Sequence, residues 1–72
     1  GNPEDFEKQL KELVGRFNLT SEDLKNLSIA GAVHRMMKEA KGSDKTMLSN
    51  LLDSINKAGV GNLPASMIEN YK

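Results

Sequence analysis

Hydrophobic residues recur along the chain at the three- and four-residue spacing of one helical face, in four successive stretches. This spacing predicts helices over residues 3–17, 21–27 and 29–41, and a fourth helix that is capped by Ser43 and ended by Gly59. No run rich in Val, Ile or Thr alternates with the two-residue period of a strand. The pattern therefore predicts an all-α fold.

Polar residues and glycines mark the ends of these helices. Thr20 stands three residues before Asp23, the spacing of a capping box at the start of the second helix. Ser28 is expected to cap the third helix, and Ser43 the fourth. At Gly59 the fourth helix is expected to stop, with Val60 folding back on the last turn in a Schellman-type contact.

The segment after Gly59 predicts a short last helix. Its apolar residues are Met67, Ile68 and Tyr71. The expected architecture is a compact orthogonal array of four helices plus this short C-terminal fifth helix, in a single small domain of residues 1–72, because short connections favour sharply angled helices over a long parallel bundle. Leu52 is expected in the core, and Gly31 is expected to let another backbone approach closely.

Composition narrows the function classes. The 72 residues carry ten basic and ten acidic side chains, and this zero net charge argues against a purely electrostatic nucleic-acid binder. Cysteine is absent, which removes thiolate metal sites and fits a reducing compartment. No apolar run approaches the roughly 20 residues of a membrane span. A cytoplasmic protein without membrane contact is expected.

Catalysis and cofactor binding have little support in the sequence. His34 is the only histidine and the only candidate general base, and it lies off the apolar stripe of the third helix. No phosphate-binding glycine motif and no calcium-loop spacing occurs. We therefore expect no enzyme, no metal and no cofactor.

A cluster of basic residues gives the first candidate surface. Projected at about 100° per residue, the third helix places a basic stripe opposite its apolar face. The stripe and its continuation past the turn consist of His34, Arg35, Lys38, Lys41 and Lys45. This surface either contacts nucleic-acid phosphates or an acidic partner, or is an ordinary solvated face. Both interpretations remain open at this point.

The outer face of the fourth helix gives the second candidate surface. It is poor in charge, as interfaces are, and methionine adapts to imperfect partner surfaces. Its candidate residues are Met47, Asn50, Asp53 and Ser54. This face either meets a partner or a second copy of the chain, or is covered by the chain's own residues 67–71.

Two stretches, LTSEDLKNLSIAGAVHRMM and MLSNLLDSINKAGV, resemble the helix-turn-helix core of phage-repressor-type domains over residues 10–60. The resemblance implies a DNA-binding domain whose third helix reads bases. The chain departs from that pattern at Lys25, where the family has a small alanine, and at Ser28, where it has a turn glycine. Residues 29–32, at the start of that helix, offer almost no hydrogen-bonding side chains for base readout. The chain is therefore not assigned to that family.

From the sequence we expect one of two functions, in this order. The first is a non-enzymatic protein-interaction or regulatory accessory module, of phage or bacterial origin. The alternative is a small helical DNA-binding domain of degenerate helix-turn-helix type.

Overall fold

Five helical elements succeed one another in a computed structural model that describes residues 3–70 and the side chains of residues 7–67. They are α1 (Pro3–Arg16), α2 (Ser21–Asn26), α3 (Ile29–Glu39), α4 (Ser43–Ala58) and a C-terminal 3₁₀ helix (Ala65–Asn70). Within residues 3–70 there is no strand, only an isolated antiparallel bridge between Ser28 and Pro64. The all-α prediction and the order of the helices are confirmed.

One hydrophobic cluster joins these elements. α3 packs against α4, α1 packs against α4, and the 3₁₀ helix packs mainly against α2 and also against α1 and α3. The buried residues of the cluster are Leu10, Leu13, Val14, Leu24, Ile29, Ala32, Val33, Met36, Ala40, Leu48, Leu51, Ile55 and Ala65. α1, α3 and α4 thus each bury a stripe of residues. Among the described side chains, α2 and the 3₁₀ helix each bury one, Leu24 and Ala65.

One expectation about the core is wrong. Leu52 is only half-buried, because it lies at the edge of the α4 stripe whose centre is Leu48, Leu51 and Ile55. In the C-terminal segment the buried residue is Ala65, whereas Met67 is 51% exposed. The segment forms a 3₁₀ helix that turns a small residue inwards. Tyr71 lies outside the described residues, and Ile68 lies outside the described side chains.

The helix starts follow the predicted caps in two cases out of three. The Asp23 amide donates to the Thr20 hydroxyl at 3.1 Å, and the Thr20 amide donates to the Asp23 carboxylate at 3.0 Å, which completes a capping box. The Gly31 amide donates to the Ser28 hydroxyl at 3.0 Å. Ser43 is instead the first residue of α4.

Gly42 takes the cap position of α4 with φ 62° and ψ −132°, and makes no side-chain cap hydrogen bond. α3 also ends earlier than predicted, since Ala40 is already extended with ψ 147°. The chain reverses within residues 40–42, and glycine adopts the positive φ of this turn without the steric cost that a serine would carry. Lys41 therefore belongs to the connection and not to a helical stripe.

The helix ends close by backbone hydrogen bonds. Gly59 is left-handed with φ 74°, and the Val60 amide donates to the Ile55 carbonyl at 3.3 Å, as predicted. α1 ends in the same way, although the sequence analysis did not anticipate it. Asn18 has φ 59°, and the amide of Leu19 donates to the carbonyl of Val14 at 3.1 Å. Asparagine is among the residues that tolerate this conformation.

The close backbone approach expected at Gly31 occurs at Gly61. A Cβ at Gly31 would meet the hydroxyl of its own cap, Ser28, at 3.1 Å. A Cβ at Gly61 would lie 3.2 Å from the Ala30 Cβ and 3.5 Å from an Ile55 methyl group. The connection from α4 to the 3₁₀ helix therefore packs directly on the start of α3.

We expect Leu48→Ala to lower the free energy of unfolding by about 2–5 kcal/mol, because it leaves a cavity at a fully buried position. Leu52→Ala makes the same chemical change on the same helix at a half-buried position, and should cost clearly less. Urea denaturation midpoints measure both. Equal losses for the two variants would contradict the described packing of α4.

Candidate functional site

A shallow open groove of about 340 Å³ runs where the end of α3 meets the start of α4. We call it the α3–α4 groove. It is lined by Met37, Gly42, Lys45, Thr46, Ser49 and Asn50. Its size is at the lower end of the range of small-ligand pockets, and its openness to solvent suits protruding side chains.

The two helices supply different chemistry to this groove. Met37, on α3, is half-buried against the core and contributes an apolar side. On α4, Lys45 and Ser49 are one turn apart, and so are Thr46 and Asn50, so hydroxyl and amide groups line the opposite side. Gly42 forms the turn between the helices and adds no side chain. The result is an apolar edge beside hydrogen-bonding groups, with one cation.

The basic stripe is divided by the structure. Lys45 lines the α3–α4 groove, and the exposed Lys41 directly precedes Gly42, another lining residue. His34 and Lys38 are exposed on consecutive turns of α3. The five residues do not form one continuous face, because Arg35 belongs to another site.

Arg35 lies in a second, smaller pocket of about 110 Å³ on the α2 side of α3. The pocket is lined by Phe17, Asn18, Leu19, Asp23, Arg35, Met36 and Glu39. The guanidinium of Arg35 is 4.0 Å from the carboxylate of Asp23, and Glu39 adds a second acid. The Asp23 carboxylate offsets the charge of Arg35, and with Glu39 also in the lining this pocket offers an anion little attraction.

Three of the four residues predicted for the outer face of α4 are exposed, and the fourth, Met47, is half-buried. Asn50, Asp53 and Ser54 are exposed, and the Ser54 hydroxyl donates to the Asn50 carbonyl at 3.3 Å. Asp53 forms an ion pair with Lys57 at 3.2 Å. Met47 is half-buried against the core and does not line the groove.

The described part of the C-terminal segment does not cover the predicted residues of this α4 face. The 3₁₀ helix packs mainly on α2 and further on α1 and α3, so the described part of the C-terminal segment leaves Asn50, Asp53 and Ser54 exposed. Only Asn50 of the four predicted residues lines the α3–α4 groove, where it meets Lys45 from the basic set. One residue of each candidate surface thus lines the groove. Both lie on α4, and the packing of α3 adds Met37 beside them.

Sequence reasoning missed an exposed apolar pair. Leu63 is 39% exposed and Met67 is 51% exposed, on either side of the exposed Pro64. The signal was present, since these residues follow the last strong helix in a segment broken by glycine and proline.

The described residues form neither a metal site nor a membrane-spanning helix. No group of three or more His, Cys, Asp or Glu side chains within them is arranged to hold a metal ion. None of the described helices combines the length and apolar character needed to cross a bilayer.

Comparison of the chain with protein-family models, with curated proteins and with solved structures gives no match. Functional inference therefore depends on the geometry of the α3–α4 groove and its surroundings.

Asp23 connects the capping box of α2 with the Arg35 pocket. The backbone N–H of Thr20 lowers the pKa of the Asp23 carboxyl below its ordinary value of 3.8, and the Thr20 hydroxyl and the Arg35 guanidinium act in the same direction. Partial desolvation opposes them. Because the folded pKa is lowered, the ionised carboxylate stabilises the fold above 3.8, and this contribution is lost as pH falls through the lowered pKa.

We therefore expect Asp23→Asn to destabilise the protein at neutral pH and to differ less from the wild type in strong acid. Urea midpoints at both pH values measure the difference. Glu22→Gln, on the same helix, controls for the loss of one negative charge. A destabilisation by Asp23→Asn that is independent of pH would show that charge at this cap is irrelevant.

Proposed function

We propose that this chain is a non-enzymatic protein-interaction or regulatory accessory module that binds a protein partner in the α3–α4 groove. The observation that carries the proposal is that Met37 of α3 lines one groove together with Ser49 and Asn50 of α4. Apolar area supplies binding free energy, and small polar groups form hydrogen bonds across an interface.

The charge distribution of this site favours a protein partner. Of the six lining residues only Lys45 is charged, so a partner covers the groove without desolvating many ions. Methionine at the edge, here Met37, adapts its flexible thioether side chain to a partner surface. The nearby Asp53 is already paired with Lys57, which lowers its cost at the rim of an interface.

The cellular setting and the helix geometry are part of the same proposal. The absence of cysteine supports a cytoplasmic location, and a phage or bacterial origin is proposed with it. Only Leu27 and Ser28 separate α2 from α3, and three residues separate α3 from α4. These short connections support an orthogonal arrangement of the helices.

Duplex DNA is the second candidate ligand, because His34 and Lys38 are exposed on consecutive turns of α3. A helix-turn-helix mode would place the start of α3 in the major groove. Here the amides of Ile29 and Ala30 donate to the carbonyls of Leu63 and Gly61 at 2.8 and 3.0 Å. The chain's own connection thus occupies the helix start that would face the bases, which weighs against this mode.

Asn50→Arg should abolish capture of the native partner, because it places a long charged side chain in the α3–α4 groove. Capture from lysates of candidate host cells, quantified by mass spectrometry, gives the comparison with the wild type. Gln9→Arg is the matched control, since it makes the same polar-to-arginine change at an exposed helical site on α1. Arginine is a good helix former, so the thermal midpoint of both variants should stay near that of the wild type.

If Asn50→Arg retains every partner that Gln9→Arg retains, the groove is not the binding site. If Asn50→Arg instead lowers the thermal midpoint sharply, the groove residues serve the fold and the proposed site is wrong.

The DNA alternative has its own test. A binder that uses Lys38 and Lys41 should hold duplex DNA with an affinity that falls steeply with salt, and Lys38→Glu/Lys41→Glu should abolish this binding while helicity is kept. Fluorescence anisotropy of a labelled duplex measures it. Absence of binding at low salt would remove DNA as a candidate.

A further inference from the structure

We infer that the partner segment recognised by the α3–α4 groove is an acidic amphipathic helix, which packs apolar side chains against Met37 and directs carboxylates to Lys38, Lys41 and Lys45. This inference rests on the proposed function and adds the chemical class of the partner. The acidic character of the partner is inferred from the ion pairs near the groove. The α4 carboxylates there are already paired, whereas the lysines are not.

The described carboxylates on α4 are already engaged. Asp44, in the first turn, accepts from the guanidinium of Arg16 at 3.2 Å and so is tied to α1. Asp53 is paired with Lys57 at 3.2 Å, one turn further along α4. On α3, Glu39 lines the Arg35 pocket and not the groove. Few negative charges are therefore left to offset the lysines at the α3–α4 junction.

The lysines at this junction remain uncompensated. Lys38, Lys41 and Lys45 are exposed, and none of them forms an ion pair with a described carboxylate. They come from the end of α3, the connection and the start of α4. Lys45 lines the groove, Lys41 directly precedes the lining residue Gly42, and Lys38 directly follows the lining residue Met37. Complementary potentials guide association and fix orientation, which makes an acidic segment the fitting partner.

The groove itself calls for a helix with an apolar stripe. Its lining comes from two packed helices and the turn between them, and Met37 offers an apolar contact on its α3 side. Helix-in-groove recognition uses apolar anchors at i, i+3, i+4 and i+7 on one face, while the other face stays polar. On α4, Thr46, Ser49 and Asn50 can form hydrogen bonds with the polar flank of such a helix.

Other occupants fit less well. A nucleic acid would gain from the lysines but has no stacking aromatic ring in the groove lining, and the apolar Met37 offers it nothing specific. A second copy of this chain would present its more acidic first half to the groove of the next copy. Such a head-to-tail contact is heterologous, so it would build rings or open chains and not a two-fold dimer.

The test uses three synthetic peptides of about 18 residues, long enough to form helix on binding. One carries leucines at the amphipathic spacing with glutamates on the opposite face, the second replaces glutamate by lysine, and the third scrambles the acidic sequence. Each is titrated into the ¹⁵N-labelled full chain while amide chemical shifts are followed. The acidic amphipathic peptide should shift the amides of Met37, Lys45 and Ser49, and the other two should not.

Paired variants separate local recognition from net charge. Lys41→Glu/Lys45→Glu should weaken the acidic peptide by about tenfold or more, because like charges then face each other. Lys8→Glu/Lys25→Glu changes the net charge equally at exposed sites on α1 and α2, and should retain most of the affinity. Circular dichroism verifies that both double variants keep their helicity.

Several outcomes would overturn the inference. They are equal binding of the scrambled or lysine peptide, shifts centred on Leu63 and Met67, equal weakening by both double variants, or no shift at millimolar peptide. If the peptide fails while Asn50→Arg still abolishes partner capture, the partner class is wrong and the groove proposal stands. If the peptide binds in the groove but Asn50→Arg leaves native capture intact, the acidic-helix affinity is real and the proposed function is wrong.

Discussion

Backbone hydrogen bonds tie the start of α3 to the connection between α4 and the C-terminal 3₁₀ helix. Ile29 and Ala30 donate their amides to the carbonyls of Leu63 and Gly61, and the Ala65 amide donates back to Leu27 at 2.9 Å. Buried amides at a helix start need partners, and here the chain supplies them from more than 30 residues away. Because Gly61 has no side chain, its backbone reaches Ala30 closely enough to make these bonds.

This anchoring decides which surfaces remain available. It fixes the 3₁₀ helix over α2, α1 and α3, so the described C-terminal segment stays off the outer face of α4. It also covers the helix start that a base-reading helix would need. The groove at the opposite end of α3, where the chain turns at Gly42, stays open to solvent. One set of backbone hydrogen bonds thus covers one end of α3, while the other end stays open to solvent.

The packing of the helices also decides which charged side chains form ion pairs. Arg16, Arg35 and Lys57 each find an acid, two of them on another helix. Surface pairs of this kind add little stability singly, but they remove charges from the field that a partner meets. What remains around the α3–α4 groove is a local excess of lysine on a chain whose net charge is zero. The zero formal charge of the whole chain therefore does not describe the local charge at this groove.

The sequence by itself determined the helices and most of their ends, because helical periodicity, the Thr20 and Ser28 caps and the Gly59 stop act through neighbours only a few residues away. The tertiary structure alone decided the rest. Whether Leu52 or Ala65 is buried, whether Gly31 or Gly61 allows the close approach, and which acid meets Arg35 all depend on residues far apart in the chain. The groove belongs to this second class, since Met37 and Asn50 reach one site only after α3 and α4 pack across the turn at Gly42.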